Sequence, residues 1–543
     1  MYPLIRLFLP IIMLPITLSA LAQNGGKALA NNSYVSDSVI PWVLDVDLRD
    51  LPAAPIWKPG DPIEVVPEGV AFDGPVEKVQ NWKDPALQSA RSFATGEFLL
   101  AFEAHPPGNS NPPDTVGTVG PNHYISMVNS SRFAIWDKSG NNLVPPISVN
   151  SLWSGGSSPC EDGDGDPIVV YDTLADRWVI QEFEFTGNTF CIYVSQGPDP
   201  VSDGWYSYAF SAPNFPDYPQ YGVWPDAYYV STFESPNLGI YAFDRMAMLS
   251  GQPATFQRFE VSQLNGSSPR VTRILPSDFD GTILPPFTNQ PNVFMRSVHS
   301  TQDSSNPVTR LELFEYSVDW ATPLNSTFTL TQSIEPEPFA LLPCSPGVRD
   351  CIPQPNTTNK IDALFNRSMR QLHYRATNNS TESMVINQVV DAGNGIAGIR
   401  WWEIFRDSSV NGPGPAWTLK QDSTYSPDNT SRFMGAMAIN GEGDIALGYS
   451  ASSETEAPSI RVTARRGADA LNQMTMNEIT LVEGAGILTS SQRWGDYTSM
   501  DVDPADEKVF WYINQRLNVN NQRSVWVGAF RLTNDGLFRD GFE

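Results

Sequence analysis

From Asp114 onward, apolar and polar residues alternate in short runs broken by Gly, Pro, Asn and Asp. Such runs read as β-strands joined by tight turns. The clearest is Asp166 to Phe185, DPIVVYDTLADRWVIQEFEF. Ile168 to Tyr171 forms a short apolar strand, and Asp172 to Arg177 carries the turn. Trp178 to Phe185 then alternates. Val179, Gln181, Phe183 and Phe185 fall on one face, and Trp178, Ile180, Glu182 and Glu184 on the other. The same hairpin form returns from Asp217, Arg432 and Arg493, and more weakly from Asp114. Less regular stretches open at Asp278 and Asp362, which makes seven openings.

Spacings between openings run from roughly 50 to over 80 residues, longer than the ~40–50 of regular propeller repeats. The excess sits in polar loops such as Asp407 to Asn429. Each repeat has room for about four short strands, one propeller blade. A single four-stranded sheet cannot bury both faces, whereas radial packing buries them against neighbours and protects their edges. Long helical periodicity is absent, and 39 glycines and 46 prolines suit a turn-dense chain. The expected fold is all-β, a seven-bladed β-propeller over residues 101–533. A string of β-sandwiches is the alternative, but it predicts linkers, and no clean linker follows Asp114.

The rest of the chain is organised differently. Residues 1–22 read as a cleavable signal peptide, with Arg6, an apolar run from Leu7 to Leu18, and Ala20-Leu21-Ala22. No stretch is long enough for a membrane-spanning helix, so a secreted or periplasmic protein is expected. Residues 23–100 are polar and proline-rich and read as an extended arm. Trp42 to Val46 and Ile63 to Gly69 have strand character, and a ring of sheets has a seam. The first structured β-segment of the arm is therefore expected to close the ring on the blade opened at Arg493. Residues 534–543 form a tail.

Formal net charge is −26, and no basic cluster suggests a nucleic-acid footprint. Four cysteines in an exported chain imply disulfides, paired as Cys160 with Cys191 and Cys344 with Cys351. In the loop-entropy model the longer bridge contributes about 3–4 kcal/mol.

The stretches DGDPIVVYDTLADRWVI, YPQYGVWPDAYYVS, RFMGAMAINGEGDIALGYS and RWGDYTSMDVDPADEKVFWY resemble a family of secreted bacterial proteins sometimes labelled sialidase-like propellers. The similarity covers most of Asp114 to Leu532 and implies a propeller and export. It supplies no catalytic residues. The sialidase Asp-box pattern S-x-D-x-G-x-x-W is absent, so neither that activity nor its arginine triad can be placed. The closing DGLFRDGFE resembles short tails ending in GFE on exported proteins of some gammaproteobacteria.

Two constellations can carry chemistry. Glu161 to Asp166, EDGDGD, alternates acids and glycines, and Asp162, Asp164 and Asp166 can offer oxygens to calcium. The competing reading is a solvated acidic turn. Pro167 and Thr173 depart from an EF-hand. The second constellation is the acids near repeat starts: Asp114, Asp166, Asp217, Asp278, Asp280, Asp362 and Asp496. If inner strands line a channel, these should ring one mouth. Asp is also a turn residue that satisfies backbone N–H groups, so the ring can be purely structural. His123 and His373, each followed by Tyr, fall in candidate inner strands and can do acid/base work there or pack between blades. The expected ligand set at the mouth is Asp114, Asp166, Asp217, Asp496, His123 and His373.

Two functions follow from different classes. One is a monomeric binding module for an extracellular glycan or protein. The other is a polysaccharide-cleaving enzyme, a glycoside hydrolase or lyase, at the channel mouth. No paired acids, G-x-S-x-G or H-E-x-x-H stand out, which favours binding.

Overall fold

The computed structural model describes residues 27–28, 32–65, 76, 79–88, 94–264, 273–344, 350–411, 414–489 and 493–533. The expected signal peptide and the tail lie outside them. Strands dominate, and antiparallel four-stranded units follow one another along the chain. They span residues 116–148, 165–211, 217–261, 275–334, 372–425 and 431–482. A last unit takes three strands from residues 499–533 and its fourth from Thr95–His105. Units four and five share one sheet because their first strands, Leu275–Phe279 and Leu372–Ala376, pair in parallel.

The first strands contact one another in a closed cycle, each unit touching the next and the last touching the first. Approach at the axis is close: a Cβ on Gly222 would fall 2.4 Å from the Ser277 carbonyl oxygen. Sheets that radiate from such a cycle make a β-propeller. The radial stacking explains one departure from simple alternation. In Arg177–Glu184 all residues after Arg177 are buried, including Gln181, Glu182 and Glu184, because both faces meet neighbouring sheets. Trp178, Trp224, Trp401, Trp402, Trp494 and Trp511 are all buried, as their places in strand runs suggest.

Two openings shift. The fourth unit starts at Leu275, so Asp278 lies inside its first strand rather than at its head. Asp362 belongs to a separate two-stranded ladder with Asp350–Ile352, and the fifth unit starts at Leu372. Both stretches hold apolar runs broken by polar residues, and only pairing partners fix which run enters the sheet.

The seam is closed by an N-terminal strand on the last unit. Thr95–His105 pairs along Arg523–Thr533, from Thr533↔Thr95 to Val525↔His105. This strand begins ahead of the expected boundary at 101. Trp42–Leu44 serves elsewhere, as a fifth strand on the edge of unit two, and Tyr34–Val35 extends unit three. Glu64–Val65 pairs in parallel with Ser110–Asn111. The arm is also held by charge. Arg400, fully buried, meets Asp84 of the arm at 3.0 Å and Asp422 at 2.5 Å. Thr424 Oγ1 donates to Asp84 at 2.6 Å.

Both expected disulfides form, Cys160–Cys191 with Cα atoms 5.7 Å apart and Cys344–Cys351 with Cα atoms 5.1 Å apart. They are consistent with an oxidising compartment. No helix among the described residues is long and apolar enough to cross a membrane.

Candidate functional site on the propeller axis

Four of the first strands, in units one, two, three and six, begin with a backbone irregularity that turns a side chain toward its neighbour. Asp114, Asp166, Tyr218 and Met434 have φ of 40°, 45°, 53° and 50°. Pairing slips at the corresponding places, between Gly165 and Ile168, Asp217 and Gln220, and Phe433 and Ala436. Such bulges re-aim side chains, and the left-handed conformation is costly for a Tyr or Met.

The result is a network at one end of the axis. Asp114 accepts from the Asp496 N–H at 2.6 Å and from the Asn129 side-chain amide. The Asn129 Oδ1 in turn accepts from the Asp166 N–H at 2.9 Å. Asp166 accepts from the Tyr218 N–H at 3.1 Å. The Tyr218 hydroxyl donates to the Asp496 carbonyl at 3.3 Å, and Arg493 pairs with Asp496 at 2.9 Å. Arg367 and Arg273 lie over the Tyr218 ring at 4.4 and 5.0 Å. Asp114, Asp166, Asp217 and Asp496 therefore converge, as the sequence pattern suggests. Asp114 and Asp166 are fully buried, whereas Asp217, Asp496 and Arg493 are half-buried. Burial, reinforced by neighbouring carboxylates, pushes the Asp114 and Asp166 carboxyls up. Burial also raises Asp217, against the pull of Arg273. Beside this network Phe185 and Phe215 stack at 4.7 Å, both half-buried.

A second polar cluster lies toward the far end of the first strands. His373 Nε2 is 2.8 Å from the Met500 carbonyl and 3.5 Å from Asp501, and Nδ1 is 3.8 Å from Asp280. Arg375 meets Asp280 at 3.3 Å and Glu507 at 3.5 Å. Asp278, opposite His373 in the parallel ladder, accepts from the Val223 N–H at 2.7 Å and from Gln371. Burial pushes Asp278 up to about 7, with His373 opposing. For His373 burial works downward, but Asp501, Asp280 and Asp278 outweigh it and hold the imidazole above its ordinary value.

His123 joins neither cluster. It starts the second strand of unit one, at the turn remote from Asp114, and lies 3.7 Å from Asp199. The turn Gly120–His123 places it at the opposite end of that hairpin. Asp362 accepts from the Leu364 N–H at 3.0 Å and sits in its side ladder rather than on a first strand. The arginines that balance the acids, Arg273, Arg367 and Arg370, carry no sequence signal: they sit in irregular polar stretches without a repeating position.

In the Glu161–Asp166 loop the acids turn to separate tasks. Ser158 and Glu161 form a capping box on the 3-10 turn Pro159–Asp162. Asp164 accepts from the Phe185 N–H at 2.7 Å, and Asp166 faces Tyr218. Among the described residues, no three His, Cys, Asp or Glu side chains converge as a metal would require.

Fold and site define a β-propeller with a polar, charge-lined axis. No family profile and no curated protein matches the chain. It is similar to several solved structures. The N-terminal domain of Nup159 covers 83% of this chain and 98% of its own, with 10% identity and a TM-score of 0.35. For the WD40 domain of SCAP from fission yeast the values are 80%, 98%, 7% and 0.35. For an α-L-arabinofuranosidase from Lactobacillus brevis they are 68%, 91%, 13% and 0.27. TM-scores this low carry no weight for function, and the propeller stands on its own sheet order.

Proposed function

We propose that this is an exported, monomeric propeller that binds an extracellular glycan at the end of the axis bearing Asp217 and Asp496. It would be released by cleavage after the signal peptide and belong with the secreted bacterial propellers it resembles, tail included. One observation carries the reading. Half-buried Asp217 donates its N–H to the carbonyl of Phe215, which stacks on Phe185, and half-buried Asp496 and Arg493 belong to the same axial network as Asp217. Carboxylates and a guanidinium can take sugar hydroxyls, and flat rings can take a sugar face. Asp114 and Asp166 support this site from behind, since their oxygens are engaged with backbone N–H groups.

A glycan array probed with residues 23–543 tests the proposal. Asp496→Ala and Phe215→Ala should each weaken binding to whichever glycan is retained, with the fold unchanged. Retention of full binding by both variants would overturn it. Polysaccharide cleavage is the alternative, and His373 with Asp501 is the acid/base pair available to it. Chain-end analysis of bound polysaccharide separates the two.

Calcium at Glu161–Asp166 is a separate proposal, carried by the alternation of acids and glycines in that loop's sequence. A structural ion at a hundredfold excess over its dissociation constant would add about 2.7 kcal/mol. Chelation should then lower the melting temperature, and an unchanged curve means an acidic turn.

A further inference from the structure

Between the arm and the first unit lies a hollow of about 190 Å3. Its walls are mostly apolar and flat: Ile56, Trp57, Pro106, Val128, Pro145 and Pro146. One wall is fixed by the Ala54 N–H, which donates to the Pro146 carbonyl at 2.8 Å. At the back stands His105, the last residue of the seam-closing strand, 4% exposed.

His105 Nε2 has no hydrogen-bond partner among the described residues. The ring is instead tied to the backbone of Ser126, through a bond that favours its protonated form. A ring N–H donating to a carbonyl has that sign, which leaves Nε2 as the acceptor in the neutral ring. Burial dominates and holds the imidazole down to about 4, so the ring is neutral at ordinary pH. A buried acceptor without a donor is costly, and a ligand that supplies the donor recovers that cost. Ser110 at the floor is already engaged, donating to the Asn129 carbonyl at 2.6 Å.

Size and wall chemistry narrow the ligand. A dry apolar cavity of about 150 Å3 accepts benzene. The hollow therefore holds one six-membered ring with a small substituent. A sugar ring would lose most of its hydrogen bonds against proline and tryptophan walls, so this is not a second copy of the glycan site.

We infer that this hollow is a binding site for a phenol-class ring whose hydroxyl donates to His105 Nε2. The ring is either a free phenol or a tyrosine side chain on another molecule. Titration calorimetry on the whole mature chain tests this with p-cresol, 4-methylanisole and toluene. p-Cresol should bind about tenfold more tightly than the other two, which lack the donor. In His105→Leu, p-cresol should fall to the level of toluene while toluene still binds. If that variant does not fold, the three-ligand comparison on the wild type decides alone. Equal affinities for the three, or no binding of p-cresol, would overturn the inference. A short acetylated and amidated Gly-Tyr-Gly peptide distinguishes the sources. Competition with p-cresol marks a tyrosine-bearing partner, and lack of competition marks a free phenol.

Discussion

The two ends of the propeller axis handle buried charge in different ways. At the end where the first strands begin, Asp114 and Asp166 spend their oxygens on N–H groups of neighbouring units. There the buried acids are architectural ties, while Asp217, Asp496 and Arg493 are half-buried. Toward the other end Asp278 and His373 also meet backbone groups of neighbouring units, but pairing between side chains is added, with His373 between Asp280 and Asp501 and Arg375 between Asp280 and Glu507. Those contacts span 3.3–3.8 Å, longer than a direct hydrogen bond. Ties to backbone hold units in register, whereas loosely paired side chains can change protonation without moving a strand. Both ends hold carboxyls raised by burial, Asp114 at the first and Asp278 at the second, but the second adds an imidazole, His373, held above its ordinary value by carboxylates.

The difference can be measured against a fully buried charge, Arg400 with Asp84 and Asp422. Asp84→Ala leaves that guanidinium short of a partner in the interior and should cost about 3–5 kcal/mol. Denaturant unfolding reads this directly, and a loss under 1 kcal/mol would remove the yardstick.

At the strand-start end, Asp166→Ala strands the Tyr218 N–H and should cost about 1–3 kcal/mol. Asp496→Ala, at a half-buried position, should cost less than Asp166→Ala while reducing ligand binding more. The reverse order in chemical denaturation would show that the buried acids are not the ties.

At the far end the signature is pH. Asp278 is raised to about 7 by burial, so the folded chain holds a proton that the unfolded chain releases near 4. Stability from this group is present at acid pH and falls as pH rises toward and through 7. The raised His373 acts in the same direction above its ordinary value. Melting temperature should therefore drop as pH rises from about 4 to 7, with the raised Asp114 and Asp217 contributing in the same direction, and Asp278→Asn should reduce that drop. A wild type with no slope in that window contradicts the assignment. The smallest expected effect is local. Asp501→Asn removes one of the carboxylates that hold His373 up, and an imidazole NMR titration should move downward with the melting temperature little changed.

Much of the fold is legible in the sequence. The run Asp166 to Phe185 fixes a hairpin by alternation and turn residues, and the structure pairs Tyr171 with Trp178 across that turn. Cysteine spacing gives both disulfides. Recurrence of Asp at strand starts places Asp114, Asp166, Asp217 and Asp496 together, since equivalent positions of a closed ring must meet at one end. These are consequences of local period and of symmetry. The tertiary structure decided what local chemistry leaves degenerate. Any of several short apolar runs can add to a sheet edge, and only packing chose Thr95–His105 over Trp42–Leu44 for the seam. Asp362 and Asp278 look alike along the chain, yet one sits in a side ladder and the other on the axis. The acids near strand starts repeat and can be seen, but their arginine partners come from loops of unequal length. Charge balance in a buried cluster is set by distance in space, and one-dimensional spacing does not encode it.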